Sequence, residues 1–268
     1  MSDPRGRHII LTLGRSGSNT LVDMLNQNPA VLNYGEVLGD WTKLRRLQRR
    51  LGLYRGDDHA YLRAVLGGPV MLRAANGFRN LARILRGRFG QVKRLRGIRT
   101  VGFKEFALNL AEFGVTDILH ETPAPKIIGL TRANILARMV SNEILQATGV
   151  VLVRGEGGDA PGRLLQLSPE QVIARLQKIE AENLALEEML NRIDGDRVIR
   201  LDYEDLYGDS ARTIAAVRRV FAFLDVPDFR PEIRMAKILQ RDPVEAFENP
   251  DEIRAAIAGT RFVKWLGR

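Results

Sequence analysis

The sequence predicts an α/β fold: a parallel sheet flanked by helices, with a basic helical insertion. Three observations predict it. Apolar runs of strand length recur at His8–Leu13, Thr100–Phe106, Pro125–Thr131 and Arg197–Asp202, and each passes into a stretch with helical spacing. The run Ile127-Ile128-Gly129-Leu130 is apolar on consecutive positions, the pattern of a strand covered on both faces, as parallel strands are. Basic charge is concentrated between Trp41 and Arg99, where sixteen Lys or Arg face only Asp57 and Asp58.

The first run ends in Gly14-Arg15-Ser16-Gly17-Ser18-Asn19-Thr20 and continues as Leu21-Val22-Asp23-Met24-Leu25-Asn26. This is a strand, a tight turn and a helix N-terminus. Unpaired N–H groups and the positive end of the helix dipole welcome an anion there. Arg15 adds a full charge with a fixed fork of donors. The ATP-type loop G-x-x-x-x-G-K-[ST] needs a Lys after its last Gly, and here none follows. The turn therefore reads as a phosphate cradle not built for ATP. Asn28-Pro29 stops the helix, and the short run Ala30 to Leu38 contains Gly35-Glu36, a carboxylate just beyond a second strand.

From Trp41 the chain turns helical and arginine-rich. Leu44, Leu47 and Leu51 recur at helical spacing among Arg45, Arg46, Arg49 and Arg50, which predicts an amphipathic helix lying over the core, with lipid or an acidic acceptor as the other partners such a helix suits. Helices are expected around Ala60–Leu66 and Gly77–Leu85, broken at Gly67-Gly68-Pro69. The strand Thr100–Phe106 ends in Lys104-Glu105, where charges face the ligand crevice of an α/β sheet. A helix through Leu108, Leu110, Ala111 and Phe113 is expected to reach toward Ile118-Leu119. The strand ending at Thr131 opens a second strand-to-helix junction with Arg132 at its mouth and Ser141 further along the helix.

The glycine-rich Gly155–Gly162 reads as a connection or an active-site lid. Ser168-Pro169-Glu170-Gln171 is a helix start with cap, proline and capping-box Gln, and Val172, Leu176, Ile179, Leu186 and Leu190 continue it to about Ile193. Asp202 ends the next strand before Tyr203-Glu204-Asp205-Leu206 and a helix from Asp209-Ser210 to Leu224. There it fixes the following turn or, in a kinase, would hold magnesium. The tail from Pro227 is expected to be helical and polar.

Composition narrows the function. The 268 residues are 45% hydrophobic, enough for one domain spanning 1–268 with 41–99 inserted in it. The chain has no Cys, which removes disulfides, thiolate catalysis and cysteine-held metals. No apolar run approaches the roughly 20 residues of a membrane span. The expected location is cytoplasmic, with the basic segment able to hold the chain at the inner membrane face. A net charge of +9 implies an anionic partner, and sparse aromatics without a nucleic-acid motif argue against nucleic acid.

The strand–cradle–helix start, the strand ending in Lys104-Glu105, the strand–Arg132–helix–Ser141 segment and the turn at Tyr203–Leu206 form an ordered set. In this order they resemble the sulfotransferases that use 3′-phosphoadenosine 5′-phosphosulfate (PAPS), most closely the bacterial carbohydrate branch, from His8 to about Trp265. The resemblance implies a P-loop-like sheet, PAPS as sulfuryl donor and PAP as product, no metal, and a carbohydrate or glycolipid acceptor. It implies that Arg15, Ser16, Gly17, Ser18, Asn19 and Thr20 hold the 5′-phosphosulfate, that Arg132 and Ser141 grip the 3′-phosphate, and that Lys104 lies by the sulfuryl group. The Arg132–Ser141 spacing of nine departs from the eight common in animal cytosolic relatives. Those relatives carry a His base after the strand, where this chain has Phe106, and His8, His59 and His120 lie in no such motif. The carbohydrate branch implies Glu36 as base, with Glu105 in reserve. Two other readings are open to the residues: a nucleotide kinase using Arg15 and Asp202, and a non-catalytic anion- or lipid-binding module in which Glu36 would be dispensable.

Overall fold

In the computed structural model, residues 5–54, 56–85, 87, 89–149, 164–234 and 242–267 are described. Five strands, β1 (Gly6–Thr12), β2 (Val31–Asn33), β3 (Thr100–Phe106), β4 (Lys126–Thr131) and β5 (Val198–Asp202), form one sheet in the order β2-β3-β1-β4-β5. Every pairing is parallel, with Ile10 opposite both Lys104 and Ile128. Parallel neighbours require crossovers, and the intervening helices cover both faces. Ile9, Leu11, Phe103 and Ile127 point to one face, packed by α3 (Asp58–Gly67), α5 (Ala107–Glu112) and the C-terminal part of α7 (Pro169–Asn191). Ile10, Ile128, Leu130 and Leu201 point to the other, packed by α1 (Ser18–Gln27) and α9 (Ser210–Phe223). The central strands β1 and β4 are therefore apolar on consecutive positions because both faces are dry.

Expected and observed helices agree in kind and differ in extent. The Ser168 capping box starts α7 as its sequence predicts. Gly68 ends α3 and, with Pro69 at the first position, begins α4 (Pro69–Ile84), longer than the 77–85 expected. The helix after β3 stops at Glu112 rather than reaching Leu119, because Gly114 takes a positive φ and a 3-10 turn follows at Thr116–His120. α6 (Ile135–Thr148) carries Ser141 in its second turn, and the four-residue α8 (Tyr203–Leu206) follows β5.

Two expectations are corrected. Residues 227–234 are not helical, and the tail is not polar: Val244, Phe247, Phe262 and, on α10 (Pro250–Ala258), Ile253 and Ile257 are buried in a third core with α6 and α7. The arginine-rich helix α2 (Lys43–Arg50) lays only Leu44 of its leucine stripe against the core. Arg45 and Gln48 are buried while Leu47 and Leu51 are exposed. Arg45 pairs with Asp58 at 2.6 Å and stacks over Tyr61, so charge pairing fixes that helix together with Leu44. The glycine-rich connection Gly155–Gly162 lies outside the described residues.

A buried histidine pins the sheet beneath the site. Asn33 uses both ends of its amide: Oδ1 accepts from Gly35 N, so Nδ2 donates to His8 Nε2 at 3.0 Å. That leaves Nδ1–H to donate to Thr100 Oγ1 at 2.9 Å. Burial, then Lys93, pushes the His8 pKa down to about 3. Between pH 6.5 and about 3 the unfolded chain takes a proton that the folded chain refuses, so stability is full above pH 6.5 and falls as pH drops through this window. The loss at the acid end is on the order of 4 kcal/mol. Chemical denaturation from pH 7 to 4 is expected to show this slope, and His8→Asn to flatten it about a lower baseline; an unchanged slope in the variant would assign the acid sensitivity to other groups.

Candidate active site

Because all five strands run the same way, their C-terminal ends share one edge, where ligands of open α/β sheets bind. The cradle follows β1, Glu36 follows β2, Lys104 ends β3, Arg132 follows β4 and Tyr203 follows β5. Residues separated by as many as 190 positions thus meet in one place.

The cradle is a strained turn tied down on each side. Arg15 has φ 64° and Gly17 φ 77°, left-handed conformations of the kind from which anion-binding nests of backbone N–H groups are built. At Gly17 a Cβ would lie 2.2 Å from the Tyr207 ring, so no side chain fits. Ser16 does not face the ligand space: its Oγ donates to Leu13 O at 2.8 Å and meets Thr12 Oγ1 at 2.5 Å, which locks the turn. Thr20 is also engaged, its Oγ1 accepting from the Tyr207 hydroxyl, which also reaches Gly17 O. Ser18 and Asn19 form the first turn of α1, which has no side-chain cap. Arg138 supports the loop from behind, donating Nε to Gly14 O at 2.9 Å while its other nitrogens hold Asn183 and Glu182.

The second anion grip joins the first directly. Arg15 Nε donates to Ser141 Oγ at 3.0 Å, and Arg132 donates to Arg15 O at 3.1 Å. Arg132 stacks on Tyr203 with 4.1 Å from guanidinium carbon to ring centroid, and Tyr203 stacks in turn on Tyr207 at 4.3 Å. Arg132 Nε is buried without a hydrogen-bond partner. Burial, then Arg132, lowers the Arg15 pKa, and burial lowers that of Arg132. A half-buried and a buried guanidinium in repulsion, the buried one with an orphaned donor, form an environment that a phosphate relieves.

The third part is a charged pair. Gly35 O accepts from Lys104 N at 3.0 Å, extending the β2–β3 pairing one step and setting Glu36 beside Lys104. Lys104 Nζ is paired with Glu36 Oε1 and lies 3.4 Å from Asn19 Oδ1. Lys104 is only 1% exposed, whereas the Glu36 carboxylate is 19% exposed and can meet a solute. Trp41 Nε1 donates to the other Glu36 oxygen at 2.6 Å. Lys104 thus sits between a carboxylate and the cradle.

Glu105 has a different task. Its Oε2 accepts from Val37 N and Leu38 N, and its Oε1 from Phe106 N and Asn109 Nδ2, so both oxygens are occupied and the side chain is fully buried. It holds the segment after Glu36 in position. Asp202 Oδ1 accepts from Thr131 Oγ1 at 2.6 Å, clasping the ends of β4 and β5. No group of three or more acidic or His side chains suited to a metal occurs among the described residues.

Sequence reasoning missed Tyr207, Arg138, Trp41 and Phe106. Tyr207 lies one residue past a turn that was legible, and Arg138 sits on the helix that carries Ser141; nothing in local pattern distinguishes either from an ordinary helix residue. Phe106 packs its ring 4.6 Å from Lys104 Nζ and also lines a cavity of about 350 Å³ with Leu13, Gly14, Asn109, Asn142 and Gln146.

No family model matches the sequence, and no curated protein matches it. Solved structures do resemble the chain. A sulfotransferase from Alicyclobacillus acidocaldarius aligns over 97% of this chain and 94% of its own, at 17% identity and TM-score 0.49. The sulfotransferase domain of the Synechococcus PCC 7002 olefin synthase aligns over 94% and 80%, at 16% identity and TM-score 0.42. Sulfotransferase STF1 from Mycobacterium tuberculosis H37Rv aligns over 96% and 72%, at 14% identity and TM-score 0.43. Likeness at this level leaves the chemistry to be argued from the residues themselves.

Proposed function

We propose that this chain transfers the sulfuryl group of PAPS to a hydroxyl of a carbohydrate or glycolipid acceptor, with Glu36 as general base. The observation that carries the reading is the continuous line from Arg132 and Ser141 through Arg15 and the cradle to Lys104 and Glu36. It offers two anion grips and then a base, the order a nucleotide phosphorylated at both ends would need. Bound there, PAPS would supply an activated sulfuryl group. Arg132 and Ser141 would hold its 3′-phosphate, with the orphaned Arg132 Nε a ready donor. Arg15 and the N–H groups of the cradle and first turn of α1 would hold the 5′ end, while Ser16 and Thr20 act by fixing the loop through their own hydrogen bonds.

Lys104 Nζ, between Glu36 and Asn19, would neutralise charge that builds on the transferred group and leaving phosphate. Group transfer of this kind proceeds through a loose transition state, so fixed positive charge and alignment do most of the catalysis. Glu36 accepts the acceptor's hydroxyl proton. Its present partners, Lys104 and Trp41, keep it oriented until an acceptor hydroxyl competes for one oxygen. The cavity beyond Phe106 suits a hydroxyl-rich acceptor: it offers the amides of Asn109, Asn142 and Gln146 beside an aromatic face, and of the charges in its wall Arg138 pairs with Glu182 and Arg175 with Glu143, with Lys178 beside them.

Thermal unfolding with PAP against ATP–magnesium tests the donor. PAP at 100 times its Kd is expected to stabilise by roughly 2.7 kcal/mol, a midpoint rise of about 5–10 °C for a chain of this size. A rise with ATP–magnesium and none with PAP would replace sulfuryl transfer by the kinase reading.

A further inference from the structure

Two helices of the basic segment are built inside out. On α4 the inward face holds Leu72 against Leu32, Ile98 and Val101, but most of it is polar. Asn76 and Asn80 both donate Nδ2 to Lys93 O, Asn80 Oδ1 accepts from Lys93 N, and Arg79 donates to Asn33 O at 2.6 Å. Arg83 in turn donates to Asn80 Oδ1. This network fixes the rotation of the helix, so its outward face is not free to turn in. That outward face carries Val70, Phe78, Leu81 and Leu85 at 75, 66, 54 and 78% exposure, with Ala74 and Gly77 completing the stripe and exposed Phe89 following the helix. The spacing places them on one side of four turns. α2 repeats the inversion in part, with buried Arg45 and Gln48 and exposed Leu47 and Leu51, while Leu44 packs inward.

A soluble surface rarely carries so long an apolar stripe without a partner. The surrounding charge selects the partner. Arg46, Arg49, Arg50, Arg73, Arg94, Arg96 and Arg99 are exposed in the same segment, and its acidic residues number only two. A second copy would bring this positive charge against itself, whereas acidic headgroups would neutralise it and acyl chains would take the apolar stripe. We propose that the 41–99 segment docks on a bilayer containing anionic lipid, with the outward face of α4 lying in the interface. No helix among the described residues is long and apolar enough to cross a membrane, so attachment is to one leaflet.

Flotation of the full chain tests this with vesicles of phosphatidylcholine alone and of phosphatidylcholine with phosphatidylglycerol. The chain is expected to favour the anionic vesicles by roughly tenfold or more, less so at high salt. Phe78→Glu with Leu85→Glu is expected to reduce that association at least as much, while the PAP-induced midpoint shift remains. In Leu81→Trp, brominated acyl chains are expected to quench the added indole when anionic vesicles are present. Equal association with both vesicles, an unaffected double variant, or no quenching would overturn the proposal. So would a dimer in sedimentation that the double variant dissociates, with no vesicle binding, which assigns the face to a second copy. Because retention of the PAP shift is scored separately, failure here leaves the sulfuryl-transfer reading standing, and loss of that reading leaves this one.

Discussion

Glu36→Gln is expected to lower kcat by about 10²–10⁴-fold, the range a positioned general base contributes, while PAP binding stays within a few-fold of the wild type. The replacement keeps the shape and one oxygen, so the Trp41 Nε1 bond can persist. What it removes is the ability to take a proton, together with the negative charge beside a Lys that is almost fully buried. The loss of that pairing will cost stability, because a buried charge is left without its partner. The midpoint rise with PAP therefore serves as the folding control, and single-turnover sulfuryl transfer as the readout. Unchanged turnover would remove Glu36 from the reaction and move the proton-accepting role to another group. Glu105 is a poor substitute, since four hydrogen bonds already use its oxygens.

Arg132→Met is expected to act on the other side of the same reaction. It should raise the Kd for PAP by roughly 30- to 1,000-fold, the cost of 2–4 kcal/mol for one side of a buried charged hydrogen-bonded contact. Met preserves the aliphatic packing against Tyr203 but not the planar stack or the donors. Because Arg132 also donates to Arg15 O, part of the loss will come from a looser cradle. Comparing PAP with adenosine 5′-phosphosulfate, which lacks the 3′-phosphate, separates the two effects. A variant that loses affinity for PAP alone has lost the 3′ grip; one that loses affinity equally for both has lost the loop; unchanged affinity for PAP would overturn the assignment of Arg132.

The strands and the cradle were legible in the sequence because their causes are local. Consecutive apolar residues at Ile127 to Leu130 mean a strand dry on both faces, Gly17 marks a left-handed turn, and Ser168-Pro169-Glu170-Gln171 satisfies its own helix start. Arg15, Arg132, Lys104 and Glu36 were legible as well, since each falls where a strand gives way to a loop or helix, and parallel pairing gathers those points on one edge. The sequence also established the charge of the 41–99 segment but not the faces of its helices. Spacing shows that Leu44, Leu47 and Leu51 share a side, yet only tertiary contacts decide which side turns inward. There Arg45 met Asp58 and Tyr61, and Arg79, Asn76 and Asn80 met the backbone of Asn33 and Lys93. Likewise the sequence supplied two candidate carboxylates, Glu36 first and Glu105 in reserve. Alternation along β3 and the backbone amides of Val37 and Leu38 took one of them into the frame, leaving the other beside Lys104 with an edge open to solvent. A short-range pattern fixes what a residue's neighbours in the chain demand; the use of a charged group depends on which donors the fold brings to it from far away.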